Sequence, residues 1–477
     1  MEQQQQHKLH KWLILFNVSV SVFMATLDGS IVNIALPVMS GKLSVTIESI
    51  QWVVTSYLLT ISVLLLIWGK ISDLRGKKKI FLFGFIVFTF GSGLCGLSHS
   101  LVFLVFSRIL QAVGASSMMA LSQGIVTATF PPKERGMALG ITGTTVAIGS
   151  LVGPSLGGVL VHLAGWQSIF LINIPVGIIG TILTLIIIPD LPGNPHSGKF
   201  DIKGSLMMVS SIMLLFLGLL FVEDNVIKLD VFIPMLIASA IITYFLIRTE
   251  RKAENPLIHL ELFKSRVFSM GISSAYLSFI ATFSTTMFIP FYLQYAMKLD
   301  TLTAGLLISA YPATTAIVAP ISGWLSDRIT YRPLTVTGLT INTIVLFYLT
   351  TLNTKTSFFE IIILMALLGL GVAIFQSPNN NSIMGSVPKD RLGIAGGINA
   401  LFRNLGMVSG ATFSVLLFTA VTKMDINKFG NTGSGFDAAI FMKGFRYVAI
   451  LAGLSCLLAV IISLTRSVTE GGRLKKQ

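Results

Sequence analysis

The sequence predicts an all-α integral membrane protein with fourteen transmembrane helices: two six-helix bundles plus two inserted helices. Three observations carry that prediction. The 477-residue chain is 53% hydrophobic and only 11% charged, with a mean hydropathy of +0.81, a balance foreign to soluble domains. Apolar runs of about 18 or more residues recur along its whole length, each long enough to cross a bilayer. Two short strings also recur at nearly one offset. Gly69-Lys-Ile-Ser-Asp73 is echoed by Gly323-Trp-Leu-Ser-Asp327, and Pro132-Lys-Glu-Arg135 by Pro388-Lys-Asp-Arg391.

The runs fall near 12–36, 50–69, 80–98, 102–124, 137–161 and 167–188, then 204–222 and 230–247. They continue at 267–293, 303–325, 334–352, 358–380, 394–420 and 443–465. Unbroken apolar runs, without the period-two alternation of barrel strands, specify helices. The first run carries Asp28 and is too long for a signal-peptide core, so it reads as a retained span. The Gln3–Gln6 stretch ahead of it reads as a frayed end. The repeated strings place the first six and last six spans in register as two copies of one unit. Spans seven and eight are then an insert, preceded by the turn-rich Pro189–Gly198 and followed by the basic Arg248–Arg266. The expected domains are 1–190, 191–260 and 261–477.

The formal net charge of +14 could suggest nucleic acid, and the basic end Gly471–Gln477 is the one patch that would fit it. The distribution argues against a nucleic-acid partner. With the N-terminus placed inside, 24 of the 34 Lys and Arg lie in segments on that side. This positive-inside bias puts both termini in the cytoplasm. Cys95 and Cys456 sit in separate spans as small apolar fillers, and no disulfide framework is implied. The six histidines are scattered, no GxSxG, HExxH or Walker A string occurs, and the loops are too short for a catalytic domain. A membrane enzyme or a metal centre is therefore not expected.

Asp28 is the one acid well inside a run, about 24 Å along the first helix. A carboxylate there costs roughly 2.5–3.5 kcal/mol on insertion scales, so it must be protonated, paired or facing water. Arg108, in the fourth run, is its natural partner for the same reason. Gly69, Asp73, Arg75 and Gly76 form a short charged turn between the second and third runs. Glycines there permit close helix approach, and the carboxylate can face a helix N-terminus; Lys77–Lys79 are assigned mainly to topology. In the fifth run, Gly149, Gly153 and Gly157 lie four apart on one face, and Pro154 kinks the helix. Asn33, Tyr57, Gln111, Gln123, Tyr292, Tyr311, Gln376, Asn380 and Arg403 are polar or aromatic groups in spans, suited either to substrate contact or to helix packing.

The Gly69–Lys79 string resembles the signature loop of the major facilitator superfamily. Leu27–Pro37, the fourth-run string from Ser107 to Met118 and the fifth-run glycines resemble motifs of its fourteen-span drug:proton antiporter subfamily. Gly29-Ser30 and Ala112 depart from the usual residues. The resemblance covers nearly the whole chain. It implies a major facilitator fold and proton coupling at Asp28 and Arg108. It further implies gating at Gly69, Asp73, Arg75, Gly76, Gly149, Gly153, Pro154 and Gly157, and export rather than uptake. The expected activity is proton-driven efflux of small amphipathic compounds, such as drugs, across the plasma membrane by a monomer. No cofactor is expected beyond the proton gradient. The tenth run has no acid before Asp327, which favours monovalent, neutral or zwitterionic substrates. Export of an endogenous metabolite or lipid is the alternative within transport; a non-transporting sensor is the alternative outside it.

Overall fold

A computed structural model describes residues 2–190, 193, 200–223, 229–253, 256–423 and 437–466. Most of the Pro189–Gly198 linker and the basic C-terminal tail lie outside that set. Among the described residues, fourteen helices are long and apolar enough to cross a membrane. The first six are α1 (Glu2–Leu43), α2 (Trp52–Arg75), α3 (Lys77–Gly96), α4 (Leu101–Thr129), α5 (Arg135–Ala164) and α6 (Asn173–Ile187), the last completed to a full span by the short helix Ser168–Leu171 before it. The insert is α7 (Ile202–Glu223) and α8 (Leu229–Glu250). The remainder are α9 (Arg266–Phe291), α10 (Thr301–Ser326), α11 (Tyr331–Tyr348), α12 (Phe358–Gly385), α13 (Leu392–Thr422) and α14 (Ala438–Leu464).

Two local details depart from expectation. Helix α1 starts at Glu2, so Gln3–Gln6 continue the helix rather than fray. Helix α9 runs on through a π-helical turn, Tyr292–Ala296, which no feature of an apolar run announces. Between α2 and α3 the chain reverses at Gly76, whose φ of +96° favours glycine over any residue with a Cβ.

The chain divides into two compact units. The first holds 1–213, 241–260 and 387–401; the second holds 214–240, 261–386 and 402–477. The insert is thus shared between the units, and the start of α13 goes with the first. Inside the first unit α1 packs on α5 and α6, α2 on α4, and α3 on α4 and α6. Inside the second, α10 packs on α12, α11 on α12 and α14, and α9 on α14. Helix α13 meets α9 where Gly406 and Gly410 press against the carbonyls of Tyr276 and Ile280. Adding eight to each helix number in the first unit reproduces the neighbours in the second, so the repeat seen in two short strings extends to the packing.

Each unit has its own core. Ile31, Val53, Leu104, Trp166 and Phe170 pack in the first, and Phe288, Tyr292, Phe418, Phe441 and Phe445 in the second. Large apolar side chains such as Val102, Phe106, Ile186 and Phe359 stand exposed. On a soluble protein such surfaces would drive aggregation; on a spanning helix they meet lipid.

Candidate functional site

Asp28 lies in α1 and is completely buried. Its Oδ2 accepts from Arg108 Nη1 at 2.6 Å, while Oδ1 accepts from Gln111 Nε2 at 2.8 Å and Asn173 Nδ2 at 3.0 Å. Three helices therefore meet at one carboxylate: α1, α4 through two residues one helical turn apart, and α6 through its first residue. Arg108, also fully buried, spends its other donors on the Val53 carbonyl of α2 (3.1 Å) and on Gln111 Oε1 (2.6 Å). Its guanidinium lies 4.0 Å from the centre of the Tyr57 ring, and 5.4 Å from that of Phe170. The planar fork suits this arrangement, since a lysine would supply only a point charge. Gln111 is fixed in turn by Ser92, at 2.8 Å.

Chemically, every neighbour offered to Asp28 is a donor. A proton arriving on Oδ2 would replace the charge-assisted bond from Arg108 and free the guanidinium to turn elsewhere. The carboxylate has no solvent exposure in this structure. Proton exchange therefore requires a second arrangement in which water reaches it.

Helix α5 presses its glycine face on the same stretch of α1. A β-carbon at Gly153 would strike Ser30, one at Gly157 would meet Ile31 and Ile34, and one at Gly149 would lie 3.2 Å from Thr26. Ser30 Oγ also donates to the Gly149 carbonyl at 3.1 Å. The stripe thus holds α1 on both sides of Asp28, and Pro154 lies inside α5 as expected.

A second cluster lies at the α2–α3 turn. Asp73 is buried; Oδ1 accepts from the Gly393 N–H at 2.9 Å and Oδ2 from the Ile394 N–H at 2.8 Å. The carboxylate so caps the first turn of α13, satisfying orphan donors and opposing the helix dipole. Gly69 lets the chains approach, because a β-carbon there would lie 2.6 Å from the Gly393 carbonyl oxygen. The cation beside Asp73 is Lys77, buried and 3.0 Å away, whereas Arg75 is exposed. Lys77 is four residues on and faces back; Arg75 is two residues on and faces out. The cation that meets Asp73 is therefore Lys77 rather than the expected Arg75. The echo, Asp327, accepts from Asn381 Nδ2 at 3.0 Å.

The remaining polar candidates are dispersed. Tyr57 and Gln111 belong to the Asp28 network. Gln123 is half-buried and accepts from Asn399 at 2.8 Å. Asn33 is exposed, and Gln376, Asn380 and Arg403 are half-buried on α12 and α13. Tyr311 borders a small cleft of the second unit, with Ser278, Thr282, Thr285, Thr286 and Asn342. Tyr292 is different: it is fully buried, stacked on Phe445, and its hydroxyl donates to the Asn353 carbonyl at 2.8 Å. Packing occupies that ring, which leaves no face for a substrate. Cys95 and Cys456 are free and buried. No cluster able to hold a metal occurs among the described residues.

Sequence reasoning missed Asn173 and Arg466. Asn173 was signalled only as a lone amide in an apolar run, the same signal that picked out Asn33. Arg466 follows α14 and is fully buried; it donates to the Val267 carbonyl (2.8 Å), Asn379 Oδ1 (2.7 Å) and Ser382 Oγ (2.6 Å), with the Tyr331 ring 4.8 Å away. Burial pushes its guanidinium down to about 10, so it stays charged at neutral pH without an acid partner among the described residues.

Comparison with known proteins gives the family and the fold. The family model of the Major Facilitator Superfamily matches residues 18–411 and 275–477. The riboflavin transporter RibZ of Clostridioides difficile is 37% identical, over 84% of this chain and 87% of its own. The multidrug resistance protein Stp of Mycobacterium tuberculosis is 32% identical, over 85% of this chain and 75% of its own. Among solved structures, the proton:xylose symporter XylE superposes with a TM-score of 0.67 at 15% identity, covering 95% of both chains; at that identity the likeness speaks for the fold alone.

Proposed function

The chain belongs to the Major Facilitator Superfamily, and from that premise we propose that it is a proton-coupled exporter of small amphipathic compounds. That it is a multi-pass membrane transporter, and not an enzyme, follows from the family and its relatives. Proton coupling, direction and substrate are the proposal. The observation that carries it is the Asp28–Arg108 pair, a fully desolvated ion pair at mid-helix. A buried pair of this kind contributes little net stability, since desolvation offsets the attraction. It is better suited to a switch. Protonation of Asp28 releases Arg108, and the transporter passes to an arrangement in which the site opens to the other side. Gly149, Gly153, Pro154 and Gly157 transmit that movement through α1, and the Asp73 cap of α13 holds one arrangement closed. The protein works as a monomer in the plasma membrane with both termini in the cytoplasm, and the proton gradient is its only energy source.

A fluorescent-dye efflux assay in reconstituted vesicles tests this. Wild type should move dye only under an imposed pH gradient, and Asp28→Asn should abolish movement at normal protein yield. Undiminished, gradient-dependent transport by Asp28→Asn would remove that residue from the mechanism.

A second reading is transport of an endogenous metabolite. It is favoured by one observation, the 37% identity to a riboflavin transporter. A flavin is planar, amphipathic and uncharged in its ring system, which fits a span region poor in acids. Riboflavin that competes with dye efflux, or is itself carried, would favour this reading over drug export.

A further inference from the structure

We propose that Asp201 and Glu250 form a second proton-binding site, in which the two carboxyl groups hold one proton between them at the base of the inserted helices. Asp201 immediately precedes α7, and Glu250 is the last residue of α8. Glu250 is 3% exposed. Its Oε2 accepts from the Ile258 N–H at 3.0 Å, but its Oε1 is buried with no donor. Asp201 Oδ1 accepts from the Gly204 N–H at 2.8 Å. A β-carbon placed on Gly204 would strike both Glu250 Oε1 and Asp201 Oδ2. The two remaining oxygens therefore converge over the bare Cα of that glycine.

Glu250 Oε1 is thus a buried acceptor without a donor, and the oxygen beside it belongs to the half-buried Asp201. An unpaired buried carboxylate is costly, and adjacent carboxylates do not both ionise. One shared proton supplies the missing donor to both oxygens. The charged groups around the pair do not replace it. Lys70 of α2 is buried, and its ammonium donates to His259 Nε2 at 3.2 Å. Asp73 and Arg391 lie within electrostatic reach of Lys70, while Lys203, Arg251 and Lys252, next to the pair in the chain, are exposed. No ion pair to Asp201 or Glu250 forms among the described residues. Lys70 is also one helical turn from Asp73. Release of the shared proton adds a negative charge beside Lys70, and the cap on α13 senses it through that lysine. The site involves neither Asp28 nor the transported compound.

Infrared difference spectra of the purified full-length chain in lipid nanodiscs, with Asp and Glu carboxyls isotope-labelled, test the proposal. A protonated-carboxyl band should persist at neutral pH. It should vanish in both Glu250→Gln and Asp201→Asn, and remain in Asp28→Asn. Absence of the band from wild type, or its survival in both amide variants, overturns the proposal. The amides place an N–H where the proton was, so both variants should fold; if they do not, presence or absence of the band in wild type and Asp28→Asn decides. A second reading comes from thermal unfolding. The native protein holds a proton that unfolded carboxyls have already lost, so the unfolding midpoint should fall as pH rises through the site's titration. That fall should disappear in Glu250→Gln, and an unchanged slope in the variant counts against the shared proton.

Discussion

The two compact units repeat the same helix neighbours, yet they bury different chemistry. In the first, α1 and α4 meet through Asp28 and Arg108, with Gln111 and Asn173 completing the network. In the second, the corresponding helices α9 and α12 carry no acid in their interiors; α9 instead borders a small cleft edged by Thr282, Thr285 and Tyr311. The buried cation of the second unit, Arg466, sits past the end of α14 and is clamped by neutral oxygens of Val267, Asn379 and Ser382. One duplicated frame thus supports two different interiors. Packing order is set by apolar faces and glycines, which both copies keep. Charge placement depends on a few positions, which they do not share. The buried acid–base pair at Asp28 and Arg108 is thus confined to one unit.

The largest effect should come from breaking that difference. Arg108→Ala leaves Asp28 as an uncompensated buried charge, a loss of about 3–5 kcal/mol, and transport should cease. Asp28→Asn keeps the shape and should abolish gradient-driven flux at a smaller stability cost. Arg466→Ala should also destabilise, because three buried acceptors lose their donor at roughly 1–3 kcal/mol each. It should nevertheless leave the pH dependence of any residual transport unchanged. Thermal unfolding in detergent, with flux measured against external pH, separates the three. A pH profile that shifts in the Arg466 variant would contradict the division of labour.

The next contrast is between the two loop aspartates. Asp73 caps α13 through two backbone N–H groups, whereas Asp327 accepts from the Asn381 side chain. Loss of a helix cap costs about 1 kcal/mol, so Asp73→Ala should lower the unfolding midpoint and alter transport rate. Asp327→Ala should do less of both. Equal effects would mean that the cap is not what distinguishes the first loop.

How legible this was depends on the type of signal. Spans were readable because lipid admits only long apolar helices, and the repeat was readable because strings such as Gly69–Asp73 and Gly323–Asp327 survive in both copies. Asp28 and Arg108 stood out since a charge in an apolar run demands an explanation. Asn173 did not, because a neutral amide in a span is cheap enough to be common. That Lys77 rather than Arg75 meets Asp73 was hidden because it depends on the turn at Gly76, which sets which side chain faces back. Arg466 fell outside every run, and Tyr292 looked like a ligand contact until its ring was seen stacked on Phe445. The Asp201–Glu250 approach joins residues 49 apart in the sequence; the two spans of the insert were readable, but no local pattern says which residues at their far ends meet.

A third contrast concerns glycine. At Gly153 the nearest obstacle is the Ser30 side chain, while at Gly410 it is the Ile280 carbonyl oxygen at 2.6 Å. The Ser30 hydroxyl can rotate away, which leaves only a small shift for the Ser30 Cβ at 2.9 Å; a backbone carbonyl cannot yield without moving α9. Gly153→Ala should therefore be better tolerated in stability than Gly410→Ala, the latter costing about 1–3 kcal/mol as overpacking does. Gly153→Leu exceeds what Ser30 can yield and should block transport, and Ser30→Ala should recover part of it. Failure of that rescue, with both single variants well folded, would place the obstacle elsewhere than at the α1–α5 crossing.

The smallest expected effect belongs to the neutral cleft of the second unit. Tyr311→Phe removes one hydroxyl from a half-buried ring and should change stability by no more than about 0.5 kcal/mol. If the cleft contacts the transported compound, KM should rise by up to about tenfold, the loss of roughly one hydrogen bond, with kcat nearly unchanged. Asp28→Asn should show the opposite split, a lost kcat. The two variants compared on one substrate tell whether the units divide the work, coupling in one and recognition in the other. A Tyr311 variant that loses kcat at constant KM would place that tyrosine in the coupling path and erase the contrast between the two interiors.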